Sequence, residues 1–477
     1  MNEQPDRSAT QDIAGWIAGH AKRNSPSARA RELATMSVID TIACALAGTC
    51  EPGPWALMST RTTGKGLPSS LWGMGTAAGP RDAALLNGML AHMLDYDDGD
   101  MVSRGHPSCI IMPALLAVAE ARNLPGTKVL DAFVSGFYVI QLIGRISGRA
   151  MARRGLLVTA MNGVMGATAA LCQLLDVTAD QTATALGIAA TTAAGLRANF
   201  GTDMKPYNVG RASASAIEAV EMAVAGVTAS REIIEAKDGF IWVNGEPDLT
   251  KLILSEVDRL LAGQYSIEVE PANFKLYPCC HSTHACIAAA LRLRPQVIEH
   301  LDSIQEIVAE AQHTAAIYLT HPRPRNGLEG KFSMEGSVAI ALIDGRAGIE
   351  QFTDQAFQRA DVQALLRKVR FVTSDRLEAI HAQNKMPGSV TIVTKDGRRL
   401  HEEVEDPRGC RSDPVDLGDI VSKFRDCSKG ALSLAETDRA LKSLCAFQEL
   451  PDIGGLMREL RGMSDERRKY NALSAAE

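Results

Sequence analysis

The sequence predicts a mainly α-helical protein, a large all-helical domain with a smaller inserted α+β domain placed to act as a lid. Three observations carry this expectation. From Ala28 to about Gly226, Ala, Leu, Ile and Met recur at three- and four-residue spacing, the period at which a helix buries one face. Near Tyr265 the pattern changes: segments 304–311, 369–372 and 389–394 read as strands, the last running into Lys395-Asp396-Gly397, a hairpin-type turn signal. Over 411–470 helical spacing returns. Helical, then mixed, then helical again implies an insertion, so residues 1–265 and 405–477 are expected to form the helical domain and 266–404 the lid.

Taken in order, helices are expected over 31–47, 81–94, 107–121, 128–146, 163–175 and 181–196. Runs such as ATAA and GIAATTAAG allow close helix approach, which suits a compact bundle. In the last part Ser433 and Glu436 have the spacing of a capping box, and Pro451 is a break. At 477 residues the chain exceeds one ordinary core, and 46% hydrophobic with 22% charged residues is a globular composition. A net charge of -6 with signs mixed along the chain makes neither nucleic acid nor an anionic membrane an expected partner, and leaves room for a local cationic pocket. The polar, acidic start MNEQPDRSATQD lacks the basic and apolar regions of a secretory signal, so a cytoplasmic location is expected. The most apolar windows, such as 110–119 and 183–196, read as too short or too interrupted to span a bilayer. The ten cysteines show no paired spacing and read as reduced, buried thiols.

Four segments carry candidate chemistry. The first is His92-Met93-Leu94-Asp95-Tyr96-Asp97-Asp98-Gly99-Asp100, followed by Gly105-His106-Pro107-Ser108. A helix starting at Pro80 delivers four carboxylates to its carboxyl end, where the helix dipole disfavours them. Alone, such a cluster reads as a solvated acidic loop. His106 alters that reading, because Pro107 suits a first helical position and sets the imidazole at a helix amino end. A neutral histidine beside carboxylates there is suited to passing a proton.

The second segment, 197–211, is a polar loop between apolar helices. In it Lys205, ahead of Pro206, is expected to be held extended and aimed into a cleft, although a solvent-facing lysine fits the same residues. The third, 273–284, holds Lys275, Cys279, Cys280, His281 and His284. Cys280 and His284 are four apart, which raises a metal site, but no second ligand cluster of fitting spacing accompanies them. The preferred reading is a helix start with His281 or His284 and Lys275 facing a pocket. The fourth, 327–337, reads as a loop feeding a buried helix. Dinucleotide, phosphate-loop, zinc-protease and serine-elbow motifs are lacking, so no cofactor is expected. The remaining acids, histidines and lysines are what proton transfer needs.

These segments, in this order, resemble the MmgE/PrpD family, which includes 2-methylcitrate dehydratase, cis-aconitate decarboxylase and iminodisuccinate epimerase. The resemblance rests on Asn87-Gly88 through His92, Asp95-Tyr96-Asp97-Asp98, His106-Pro107-Ser108, Asn199-Phe200-Gly201-Thr202 with Lys205-Pro206 and Gly210-Arg211-Ala212, Lys275-Leu276-Tyr277-Pro278-Cys279-Cys280 with His284, and Lys331-Phe332-Ser333-Met334-Glu335. It implies a homodimer and a basic pocket between a helical domain and a lid. Asp95, His106, Lys205 and Lys275 then stand where the family keeps active-site residues. Asp98, Asn208, Arg211, His281 and His284 are the substrate-binding candidates beside them. Three residues depart from the family pattern: Leu157 and Asn208 replace histidines, and Gly336 replaces an aromatic and is expected to enlarge the space beside it.

The expected activity is cofactor-independent proton transfer on a small di- or tricarboxylate, ending in dehydration or decarboxylation. Epimerisation of a dicarboxylate such as iminodisuccinate, a non-catalytic metabolite-binding role, and a metal-dependent hydratase built on 279–284 are the alternatives.

Overall fold

The computed structural model describes residues 7–20, 25–246 and 249–462; the last stretch of the expected helical region, 463–470, lies outside the described residues. Its helices include α1 (Ala28–Gly48), α2 (Pro80–His92), α3 (Ser108–Ala121), α4 (Gly126–Arg153), α5 (Val158–Leu174), α6 (Ala179–Thr192), α7 (Met204–Val224), α8 (His284–Leu293), α9 (Met334–Asp344), α10 (Leu417–Cys427) and α11 (Leu434–Cys445). Helices dominate, as expected. They begin where the chain supplies caps: Ser27 accepts from Ala30 N, Thr178 forms a capping box with Gln181, and Ser433 forms one with Glu436.

One expectation fails at α4. Its 28 residues are long and apolar enough to cross a membrane, a length the sequence reading credited to no segment. The apolar surface of α4 is instead largely buried in the bundle, where α5 and α3 pack against it.

The larger sheet draws all four strands from 304–404: β1 (Ile304–Ala311), β2 (Val369–Thr373), β3 (Gly388–Thr394) and β4 (Arg399–Val404), in the order β2-β1-β3-β4. β1 pairs parallel with β2, Ile307 opposite Val369, and antiparallel with β3, Ala311 opposite Gly388. Lys395-Asp396-Gly397 turns β3 into β4, with Gly397 at φ 86°. Helices α8 and α9 pack on this sheet. After it the chain returns to the first helices: α10 lies on α1, and Gly73 N donates to Leu460 O at 2.8 Å.

Helices α2 and α7 pack most intimately. A Cβ on Gly210 would fall 2.0 Å from the Leu85 carbonyl oxygen, and one on Gly88 2.8 Å from Gly210 Cα, so backbone touches backbone. The crossing brings the carboxyl end of α2, with His92, against the amino end of α7, with Lys205. Lys205 is therefore helical, correcting its expected extended backbone. Pro206 lies in the first turn of α7, where a missing N–H breaks no intrahelical bond. All ten cysteines are free; Cys50 and Cys445 are exposed and the other eight buried.

Candidate active site

The acidic segment is not a solvated loop. Asp95, Asp97, Asp98 and Asp100 are all buried, and each has its own partners. The Asp95 carboxylate sits between two ammonium groups, Oδ1 at 2.5 Å from Lys205 Nζ and Oδ2 at 3.0 Å from Lys275 Nζ. Lys275 also donates to Asp95 O at 2.6 Å. Asp97 faces two imidazoles, His92 Nδ1 at 2.9 Å and His106 Nδ1 at 3.2 Å. Asp98 is held by Ser108 and Ser37, which tie the start of α3 to α1. Asp100 closes a tight turn by accepting from Ser103 N at 2.7 Å and Val102 N at 3.3 Å. Asp95 adopts a left-handed backbone, φ 52°, a region that aspartate enters more readily than bulkier residues.

The hydrogen bonds fix the imidazole tautomers. His106 Nδ1 lies 2.8 Å from Asp98 O, a carbonyl that can only accept, so Nδ1 carries a proton. Its Nε2 then faces Asp95 Oδ1 at 3.8 Å and the adjoining cavity. His92 likewise gives its Nδ1 proton to Asp97 and accepts at Nε2 from Lys205 Nζ, 2.6 Å away. The two rings meet edge to face at 4.6 Å. Lys205 Nζ also lies over the rings of Phe200 and Phe332, at 5.2 and 5.0 Å.

Electrostatics follow from this arrangement. Burial alone would raise the Asp95 carboxyl, but Lys205 and Lys275 outweigh it and hold the group well below the usual carboxylate range. Burial would lower Lys275; the Asp95 charge reverses that and raises it. Asp97, also desolvated, is held well below the usual range by the two imidazoles that face it. Burial pushes His92 down to about 4 and His281 down to about 3, the latter with help from the Lys275 ammonium, so both rings are uncharged at neutral pH. Burial, with the nearby Asp40, pushes Asp98 well above the usual range.

A cavity of about 860 Å³, open mouth included, adjoins this cluster. Asp95, His106 and Lys205 stand on one wall, beside Leu157, Val158, Thr159 and Phe200 from the helical part. Cys280, His281, Gln312, Tyr318, Phe332, His381 and Met386 close it from the segments between 280 and 386. The structure thus brings Asp95, His106, Lys205 and His281 to one cavity. Lys275 lies behind Asp95, fully buried, and reaches the cavity only through that carboxylate.

Four of the substrate-binding candidates do not line it. Asp98 is buried behind His106 in the contacts above. Asn208 donates to Met204 O at 2.7 Å within α7, and Arg211 donates to the carbonyls of Thr192 and Ala194 at 3.0 Å, closing the end of α6. His284 is buried behind His281, ring to ring at 4.7 Å. Gly336 opens no space either: a Cβ there would meet Phe357 at 2.7 Å and Pro324 at 3.1 Å. Leu157 does stand on the cavity wall.

The metal reading also changes place. Among the described residues, the donors that converge are His92, Asp95, Asp97 and His106, within 4.8 Å of one another, rather than Cys279 to His284. In that group Lys205 already bridges Asp95 and His92, and both imidazole Nδ1 atoms face Asp97, so an ion would have to displace an ammonium.

Sequence reasoning missed two cations. Lys423 in α10 is buried, pairs with Asp40 at 2.6 Å, and donates to Tyr96 O at 2.7 Å and Lys275 O at 3.0 Å, clamping both functional segments from behind. No local pattern marks it, since α10 reads as an ordinary amphipathic helix. Arg104 lines the cavity, and its place two residues before His106 was the available signal.

The MmgE/PrpD N-terminal domain matches residues 11–250, and the MmgE/PrpD C-terminal domain matches residues 277–446. The chain belongs to the MmgE/PrpD family. Among relatives of this MmgE/PrpD protein, cis-aconitate decarboxylase of Homo sapiens is 25% identical over 474 residues, covering 96% of this chain and 95% of the relative. Cis-aconitate decarboxylase of Aspergillus terreus is 26% identical over 477 residues, covering 94% and 95%. Mitochondrial 2-methylcitrate dehydratase of Yarrowia lipolytica is 26% identical over 428 residues, covering 84% and 80%.

Proposed function

We propose that this protein is a cofactor-independent lyase that works through a carbanion next to a carboxylate in a small polycarboxylic acid, formed either by removal of a proton from carbon, after which hydroxide leaves, or by loss of carbon dioxide, after which a proton is returned to carbon. The observation that carries the reading is the convergence of His106 Nε2 and Lys205 Nζ on one atom, Asp95 Oδ1, at the cavity wall. His106, with its Nδ1 proton held by Asp98 O, presents the Nε2 lone pair of its neutral form as the base. Lys205 has three N–H groups and uses two on Asp95 and His92, which leaves one to bind the substrate carboxylate and stabilise the charge that develops there. Asp95 and Lys275 position Lys205, and His92 with Asp97 fixes its direction from the other side. The names of the relatives, two decarboxylases and a dehydratase, favour elimination over reprotonation as the outcome.

Incubation with citrate-like acids in deuterated water tests this reading. The wild type should incorporate label or turn over at least one acid, and His106→Gln should lower that rate by about 10²- to 10⁴-fold with little change in melting temperature. Absence of exchange and turnover across the panel, or full activity in His106→Gln, would refute it. The homodimer is part of the proposal, supported by exposed apolar side chains such as Trp242 and Val243, and sedimentation at micromolar concentration tests it.

A further inference from the structure

Among the described residues, the cavity wall holds two full cations, Lys205 and Arg104, and they are in opposite states. Lys205 is committed to Asp95 and His92. Arg104 has no carboxylate within ion-pair distance among the described residues. The charges that act on it are Arg149, which repels, and Glu378, already accepting from His313 N at 2.9 Å. A guanidinium carries five donors in a planar fork suited to a carboxylate, and withdrawing it from water without a partner is costly.

The chain builds this placement deliberately in its backbone. Arg104 sits at φ 60°, a left-handed conformation that is strained for a non-glycine residue. The turn that imposes it is closed by Asp100 N to Gly105 O at 2.8 Å and Arg104 N to Asp100 O at 2.9 Å, with the Asp100 carboxylate on Ser103 N. Gly148 on α4 leaves room for the arginine stem, since a Cβ there would lie 3.3 Å from Arg104 Cδ. Nothing in the turn itself calls for an arginine, as glycine would occupy the same φ without strain. Around the two cations the wall is largely hydrocarbon, with Met101, Leu157, Val158 and Met386.

We infer that the cavity takes a dicarboxylate with a hydrocarbon middle or alkyl branch, one carboxylate on the remaining N–H of Lys205 and the second on the Arg104 fork. This rests on the site proposed above and narrows its substrate class. A third carboxylate would face Leu157 and its neighbours, where no further lysine or arginine among the described residues lines the wall to receive it, so a tricarboxylate fits less well.

Calorimetric titration with unreactive probes tests the assignment by binding alone. Methylsuccinate should bind the wild type more tightly than tricarballylate or butyrate. Arg104→Gln should weaken methylsuccinate by about 10- to 100-fold and shift butyrate by less than about 3-fold. Arg104→Gly, which relieves the strained φ, should show the same loss of affinity with a melting temperature at or above that of the wild type, so that a folding defect in the glutamine variant cannot mimic the result. Wild-type failure to bind methylsuccinate, tighter binding of tricarballylate, or unchanged methylsuccinate affinity in either variant would each overturn it. Deuterium exchange reports on the proton-transfer reading separately, so the two can fail independently.

Discussion

Replacing Asp95 by asparagine puts the buried charge cluster to a quantitative test. The carboxylate lies 2.5 Å from Lys205 Nζ and 3.0 Å from Lys275 Nζ, and both lysines are buried. Removing one partner of a buried ion pair costs about 3–5 kcal/mol, because the remaining charge keeps its desolvation penalty. Asparagine retains a carbonyl acceptor, which places the expected loss near the lower end, about 3 kcal/mol, read as a fall in the urea midpoint at neutral pH. The pH dependence supplies a sharper signature. In the wild type, Lys275 is raised by folding, so its contribution is complete below the unfolded value of about 10.4 and is lost as pH rises through the folded value. In Asp95→Asn the main charge that raises Lys275 is gone, and burial, the largest influence on it, outweighs the more distant Asp97 and lowers its folded pKa. The unfolded chain then holds a proton that the native state lacks, and stability should rise with pH on the alkaline side below about 10.4. Adding Lys275→Met, which keeps bulk without charge, should restore much of the loss. An Asp95→Asn protein with an unchanged midpoint, or with the wild-type sign of alkaline slope, would refute the reasoning.

Other expectations follow from the same contacts. Gly210→Ala places a Cβ 2.0 Å from the Leu85 carbonyl oxygen, so α2 and α7 must separate; a loss of about 3 kcal/mol is expected in urea unfolding despite the better helix propensity of alanine, and a loss under about 1 kcal/mol would contradict the crossing. Lys423→Met strands Asp40 and two carbonyls, for an expected loss of about 3–5 kcal/mol, part of which Asp40→Asn should recover in the double variant. His92 and His281 are held down to about 4 and about 3, against about 6.5 in the unfolded chain. As pH falls below about 6.5 the unfolded state takes up protons that these rings refuse, so stability should decline from there toward pH 4, and less steeply in His281→Gln.

The helices were legible because a buried face repeats every three to four residues whatever it packs against. Helices α1 to α6 each overlap an expected span, whereas α7 begins at Met204 inside the segment 197–211 that read as a loop, and strands β1 to β3 fall where β-branched runs placed them. What could not be read locally is compensation. Four aspartates in six residues look solvent-bound until Lys205, more than a hundred residues away, and Lys275, farther still, are seen on one of them. For the same reason a solvent-facing Lys205 suited the sequence, although the structure buries it beside Asp95. Arg211 and Asn208 are polar residues of the same segment whose helical phase turns them to neighbouring carbonyls rather than to the cavity. Motif order indicated which segments meet; which face of each segment meets the cavity depended on helix phase and on the glycine crossing.

The clamp made by Lys423 has a consequence for how the molecule comes into being. The groups it joins, Asp40, Tyr96 O and Lys275 O, leave the ribosome long before residue 423 does. Until then a nascent chain carries an aspartate inside its first helices with no counter-charge, and two loops that are joined to each other through Lys275 and Asp95 but not yet anchored to α10. The pocket is therefore completed late in synthesis, and a product truncated ahead of α10 would keep the helices and the sheet but lack the clamp that locks its two functional segments.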